Sequence, residues 1–208
     1  MGIDINAAIA ELQKKRKVFC SEADFQLELA WVLKEQNPDY QVRLEYVPSF
    51  NKKMHIDIVL MKENEFIPIE LKYKTKYCEI DFESEHYSLA NHGAQDVGKY
   101  LYLKDIERIE NIREKAQNFT EGYSIFITND PRYIDEKQNT YDAQFSLTGN
   151  KTGSLDWGSG VGNWSKKYPP ILLKSTYKFQ WGNYSIIETK QKNTNKFYIL
   201  ASKIARNN

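Results

Sequence analysis

Residues 55 to 75 read HIDIVLMKENEFIPIELKYKT, and no other stretch constrains the fold as tightly. Two apolar runs, Ile58-Val59-Leu60 and Phe66 to Leu71, flank the polar centre Lys62-Glu63-Asn64-Glu65. That pattern predicts two strands joined by a tight turn. With Glu63 and Asn64 in the turn, antiparallel pairing sets Lys62 against Glu65, Met61 against Phe66 and, at the far end, Asp57 against Glu70. Side chains alternate along a strand, so Lys72 shares the face of Glu70. Opposed residues have Cβ atoms roughly 4.5–5.5 Å apart, and like charges that close destabilise the pair unless something neutralises them. A divalent cation is one answer: magnesium takes oxygen ligands, typically one or two carboxylates with water and a substrate phosphate. An exposed sheet face carrying ordinary solvated charges fits the same spacing. Pro68 sets a further condition. It cannot donate to a ladder, so it requires an edge position or a bulge, and a slip of one residue would turn Asp57 away from Glu70.

A second set of polar groups lies on the helix predicted over residues 21 to 36. Ser21-Glu22-Ala23-Asp24 resembles a capping box, and Asn37-Pro38 ends the helical spacing. At 100° per residue Phe25, Leu29, Val32 and Leu33 form one face, Glu22 projects into it, and Gln26 lies beside it. An unpaired buried carboxylate costs several kcal/mol against a total stability of about 5–15 kcal/mol. Glu22 therefore needs a metal ion or a lysine, unless it stays solvated in the first turn and complements the helix dipole. Glu28, to the side of the stripe, is the weaker candidate.

The remaining elements follow from the same rules. A short helix capped by Asp4 or Asn6 runs to about Lys17, and residues 41 to 47 form a strand. Residues 76 to 93 show no clean periodicity. The longest helical pattern covers 94 to 118, where Gln95 and Lys99 project toward the Tyr102 and Ile106 face and could reach a site at the sheet end. YSIFIT reads as a buried strand. The turn-rich stretch from 130 to 167 holds Gly158, Gly160 and Gly162, but with no strand before them, no helix after and no GKS or GKT they read as a surface loop. Two strands that could pair close the chain. The order over residues 21 to 130 is helix, three strands, long helix, strand. Residues 131 to 208 form a β-rich extension of the same domain.

At 208 residues, with 41% hydrophobic and 27% charged, the chain has the composition of a globular domain rather than a disordered one. A formal charge of +1 leaves nucleic-acid binding to local clusters such as Lys72 to Lys76 and Lys166-Lys167. Cys20 and Cys78 lack the spacing of a zinc site or a disulfide framework, and His55, His86 and His92 are too scattered for a metal signature. No apolar run approaches the ~20 residues of a membrane span or forms a signal peptide. The expectation is a cytoplasmic protein with no membrane partner.

Asp57, then Glu70-Leu71-Lys72 on the next strand, preceded by a helix with Glu22, resembles the PD-(D/E)XK superfamily of restriction-endonuclease-like nucleases. The α-β-β-β-α-β order is also that superfamily's core. The matches cover roughly residues 21 to 130. Ile56 stands where the name-giving proline would be, which removes one confirming feature. The resemblance implies an α/β (α+β) fold with a mixed central sheet flanked by helices. It makes Asp57 and Glu70 ligands of Mg2+ or Mn2+, and Glu22 a direct or outer ligand. Lys72 would orient or activate the attacking water and stabilise charge on the phosphate, with Gln26 and Gln95 in support. The implied reaction is phosphodiester hydrolysis, with DNA as the expected nucleic-acid substrate and a homodimer as a possible assembly. The alternative is a non-catalytic module on the same fold, its acids paired with lysines, contacting nucleic acid or protein through Trp157, Trp164 and Trp181. A third use of Asp57 and Glu70, as an acid/base pair on a sugar, fits their spacing only loosely.

Overall fold

The computed structural model describes residues 2–135, 139–188 and 194–206. Within them the chain runs α1 (Ile5–Lys15), α2 (Glu22–Gln36), β1 (Gln41–Tyr46), β2 (Ile56–Lys62), β3 (Glu65–Lys74), β4 (Cys78–Phe82), β5 (Glu85–Leu89), α3 (Gln95–Lys115), β6 (Glu121–Thr128), β7 (Gly149–Leu155), β8 (Ile171–Phe179), β9 (Gly182–Glu188) and β10 (Thr194–Ala205). This is a mixed α+β fold. Its main sheet has six strands in the order β1-β2-β3-β6-β10-β9. The β3–β6 pair is parallel and every other neighbouring pair is antiparallel.

The hairpin has the register its sequence dictates. Lys62 pairs with Glu65, Met61 with Phe66, and the ladder runs to Ile58 and Ile69, one rung short of Asp57 and Glu70. Alternation then divides the hairpin between two cores. Ile58, Leu60, Ile67, Ile69 and Leu71 face α1 and α2, while Val59 and Phe66 face α3. Both N-terminal helices start on side-chain caps: the Ala7 amide donates to Asp4 Oδ1 (3.0 Å) and the Asp24 amide to Ser21 Oγ (3.1 Å).

Pro68 lies in a central strand, and a bulge accommodates it. Phe66 bonds through both its amide and its carbonyl to residues 118 and 120, so every second amide of β3, including the missing one at Pro68, points to the β6 side. There Phe66 bridges Phe119, yet Ile69 already pairs with Tyr123. The β6 side thus carries one extra residue across the gap where Pro68 has no hydrogen to give. Gly122 fills the gap because a Cβ there would fall 2.4 Å from Ile109 Cγ2 and 3.2 Å from the Pro68 carbonyl oxygen.

The C-terminal third completes the main sheet: β10 pairs along β6, and β9 pairs with β10. Strands β7 and β8 form a separate ribbon that packs on α3. The segment without periodicity is the β4–β5 hairpin. Its strands have five residues each and bury only Ile80, Tyr87 and Leu89, too few positions to establish a period. Gly158 to Gly162 lie in the loop between β7 and β8, followed by a five-residue 3-10 turn. Among the described residues no helix is long and apolar enough to cross a membrane.

Candidate active site

Strand β3 outruns its partner. Beyond Ile69 the amides of Leu71 and Tyr73 still point to the β2 side, but the β2 ladder has ended, and carboxylates take its place. The Leu71 amide donates to Asp57 Oδ2 (2.6 Å) and the Tyr73 amide to Glu22 Oε2 (2.7 Å). Glu22 thus finds its partner in an unpaired strand amide, with Lys74 Nζ at 3.7 Å as well. Gln26 sits just behind: its Nε2 donates to the Asp57 carbonyl (2.6 Å) and to Glu45 Oε1 (2.8 Å), which fixes the strand end that presents Asp57.

Glu70 and Lys72 project from the α3 face of the same strand end. Arg108 Nη2 lies 2.9 Å from Glu70 Oε1, and Lys72 Nζ lies 2.5 Å from Asp105 Oδ2. Arg108 also pairs with Asp105 through Nη1 (3.2 Å), and its Nη2 donates to the His55 carbonyl (2.5 Å). Four carboxylates, from Glu22, Asp57, Glu70 and Asp105, thus gather around Lys72, Lys74 and Arg108. Glu70 Oε1 and Asp105 Oδ2 are buried, and each meets its cation as a close ion pair rather than within a full set of hydrogen bonds.

The titration of these groups reflects their surroundings. Burial pushes Asp57 up to about 6, even though the Leu71 amide and Lys72 pull it down. Glu70 rises well above the ordinary carboxylate range, first through burial and then through Asp105, and Arg108 does not cancel this. Burial works to lower Lys72, but the Asp105 carboxylate, with Glu22 and Asp57 behind it, overcomes that and pushes it up to about 12. The group therefore carries a charged lysine beside carboxyls that hold their protons more tightly than usual.

Hard oxygen donors of this kind suit magnesium or manganese, and an ion here would take the place of a protein cation such as Arg108 beside Glu70. Asp57 and Glu70 would hold it, with Glu22 at the margin because its Oε2 is committed to Tyr73. As they stand the side chains are arranged around cations of the protein itself: among the described residues no three His, Cys, Asp or Glu side chains converge closely enough to hold a metal.

Of the residues singled out in the sequence, Asp57, Glu70, Lys72, Glu22 and Gln26 gather at this strand end, while Lys99 pairs with Asp142. Gln95 does not join them. It opens α3, and its Nε2 donates to the His92 carbonyl (2.9 Å) and to Asp130 Oδ2 (3.0 Å). The helix residues in contact with the group are instead Asp105 and Arg108. In sequence they form an i,i+3 pair like any solvated pair on a helix, and only the packing of α3 on β3 reveals them. Comparison with protein-family models, curated proteins and solved structures finds no match.

Proposed function

We propose that the chain is a metal-dependent nuclease of the PD-(D/E)XK type, hydrolysing phosphodiester bonds in nucleic acid, with DNA as the preferred substrate. The observation that carries this reading is the gathering of Glu22, Asp57, Glu70 and Asp105 with Lys72 at the end of β3, where Glu70 is 1% exposed and its pKa is raised by burial. Titratable groups shifted by burial and by specific charge partners cluster where function uses them. The order of α2, β1, β2, β3, α3 and β6 around the cluster also supports the reading.

When bound, Mg2+ or Mn2+ would supply an activated water and polarise the phosphate. The chain's own residues do the rest. Asp57 and Glu70 provide the oxygen donors. Lys72, charged at neutral pH, stabilises negative charge growing on the phosphate and is not free to act as a base. Gln26 holds the Asp57 backbone in place. Arg108 would release Glu70 to the ion and turn toward phosphate. A cytoplasmic setting suits the two free cysteines, and a homodimer would let two such sites act on both strands of a duplex.

The pairs Lys72–Asp105 and Arg108–Glu70 favour a second reading, a binding module whose acids serve only to hold cations. Assays of plasmid, single-stranded DNA and RNA with magnesium or manganese separate the two. The nuclease reading expects cleavage that Asp57→Ala, Glu70→Ala and Lys72→Ala abolish. Cleavage that survives all three substitutions sinks it. Nucleic-acid affinity indifferent to chelator, with no metal binding by calorimetry, favours the module.

A further inference from the structure

A cavity of about 390 Å³ opens beside the first turns of α3, with Asp96, Lys99, Arg132, Tyr141, Asp142 and Ser159 in its wall. That volume falls within the roughly 300–1,000 Å³ of small-molecule sites. Its polar groups are held in place. Tyr141 Oη donates to Asp96 Oδ2 (2.8 Å), Thr140 Oγ1 to Asp142 Oδ1 (2.6 Å), and Lys99, only 5% exposed, to Asp142 Oδ2 (3.1 Å). The cavity is therefore preformed.

An aromatic cluster abuts this wall. Trp157 stacks on Tyr100 and lies 5.1 Å from Trp164 between ring centroids, and Tyr141 is 6.3 Å from both tryptophans. The two outermost rings stay in water: Tyr141 is 41% exposed and Trp164 38%. Lys166 and Lys167 follow Trp164 on the same short turn and are exposed.

The lining selects among ligands. Two carboxylates oppose two cations, and Lys99 is already paired, so a free phosphate gains little there. A planar, neutral group with hydrogen-bond donors on its edge gains much, because aspartate accepts from the exocyclic amines of bases and exposed rings stack on base faces. The cavity adjoins the end of β6, the strand that pairs with β3 at the cluster proposed above. Lys72 pairs with Phe126 on β6, and Asp130, which is bonded to Gln95 in the cavity wall, follows the end of that strand by two residues. Lys74 and Lys76 lie between, and Lys76 is tied through its amide to Asn129 (2.7 Å).

We propose that this cavity receives an unpaired nucleobase of the bound strand. The base stacks on Tyr141 with the nearly perpendicular Trp164 beside it, its edge meets Asp96 and Asp142, and Lys166 and Lys167 hold the flanking phosphates. The proposal rests on the nuclease reading for its substrate, but its test needs no cleavage.

Anisotropy in EDTA compares a single-stranded oligonucleotide with versions in which one abasic step is walked along the chain. The expected result is a loss of affinity of about tenfold at one position, the size of a lost base–aromatic stack. Tyr141→Ala, and Ser159→Trp, which fills the mouth from an exposed position, should each erase that difference. Equal affinity for intact and abasic strands at every position overturns the proposal. So does Ser159→Trp behaving as wild type, or the absence of any oligonucleotide binding. Hydrolysis of bis(4-nitrophenyl) phosphate with manganese reports on the β3 cluster alone. If wild type fails in that assay while the abasic effect is present, the nuclease reading falls and the base cavity stands.

Discussion

Two buried glutamates, Glu70 on β3 and Glu110 on α3, have nearly the same exposure and opposite surroundings. Glu110 is fully buried. It accepts from the Lys174 amide (2.8 Å), the Ser175 amide (2.9 Å) and Tyr177 Oη (2.8 Å), with Arg113 Nη2 at 3.6 Å. Glu70 faces Arg108 at 2.9 Å without a hydrogen bond to its Oε1, and a second carboxylate, Asp105, stands nearby. The helix that carries Glu110 also supplies Arg108 to Glu70. Burial alone does not distinguish a structural acid from a functional one; the count of aligned donors does. Glu110 has enough to offset its desolvation and uses them to fasten β8 onto α3. Glu70 lacks them and holds its proton more tightly instead, a proton that a bound cation would displace.

The largest effect should come from breaking the satisfied member. Glu110→Ala leaves two part-buried amides and the buried Tyr177 hydroxyl without their acceptor and should cost about 3–5 kcal/mol in urea unfolding. Glu70→Gln, which resembles the protonated form that burial favours, should change metal-free stability by no more than about 1 kcal/mol in either direction. Equal losses for the two variants would erase the contrast.

Next in size is a pH effect. Asp57 has a folded pKa of about 6 against an unfolded value near 3.9, so between those limits the native state binds more protons and stability falls as pH rises. At 1.36 kcal/mol per unit the loss approaches about 3 kcal/mol, is complete above the folded pKa, and should shrink in Asp57→Asn. The raised Glu70 acts in the same direction. A stability that is flat or rising over that window would show the cluster to be better neutralised than its geometry implies.

Arg108→Ala sharpens the comparison from the other side. Removing the cation nearest Glu70 should destabilise the metal-free protein by about 1–3 kcal/mol and increase manganese affinity in calorimetry, because the ion no longer competes with the guanidinium. The smallest effect is expected at Glu45, an exposed partner of Gln26. Glu45→Ala should stay within about 0.5 kcal/mol by thermal melt, since Gln26 retains its bond to the Asp57 carbonyl.

Much of this was legible before any coordinates. The β2–β3 register follows from period-two alternation around a four-residue polar centre, and it alone brings Asp57 to the end of the ladder beside Glu70. Glu22 and Gln26 follow from helical spacing. Asp105 and Arg108 were not legible, because a charged pair on a long helix looks the same whether it meets water or a strand. Nor was the place of β9 and β10, since partners far apart in sequence leave no local trace.

Local alternation and turn chemistry, which act over a few residues, determined the hairpin, the helix faces and the acidic identity of the strand end. Tertiary packing decided that β3 outruns β2, so that carboxylates replace ladder partners. It also decided that the β6 side bulges around Pro68, and that α3 presents one arginine to Glu70 while a distant ribbon presents a full set of donors to Glu110. The division is physical: conformational preference is written residue by residue, but the solvation of a buried charge depends on every group that folding brings within a few ångströms of it.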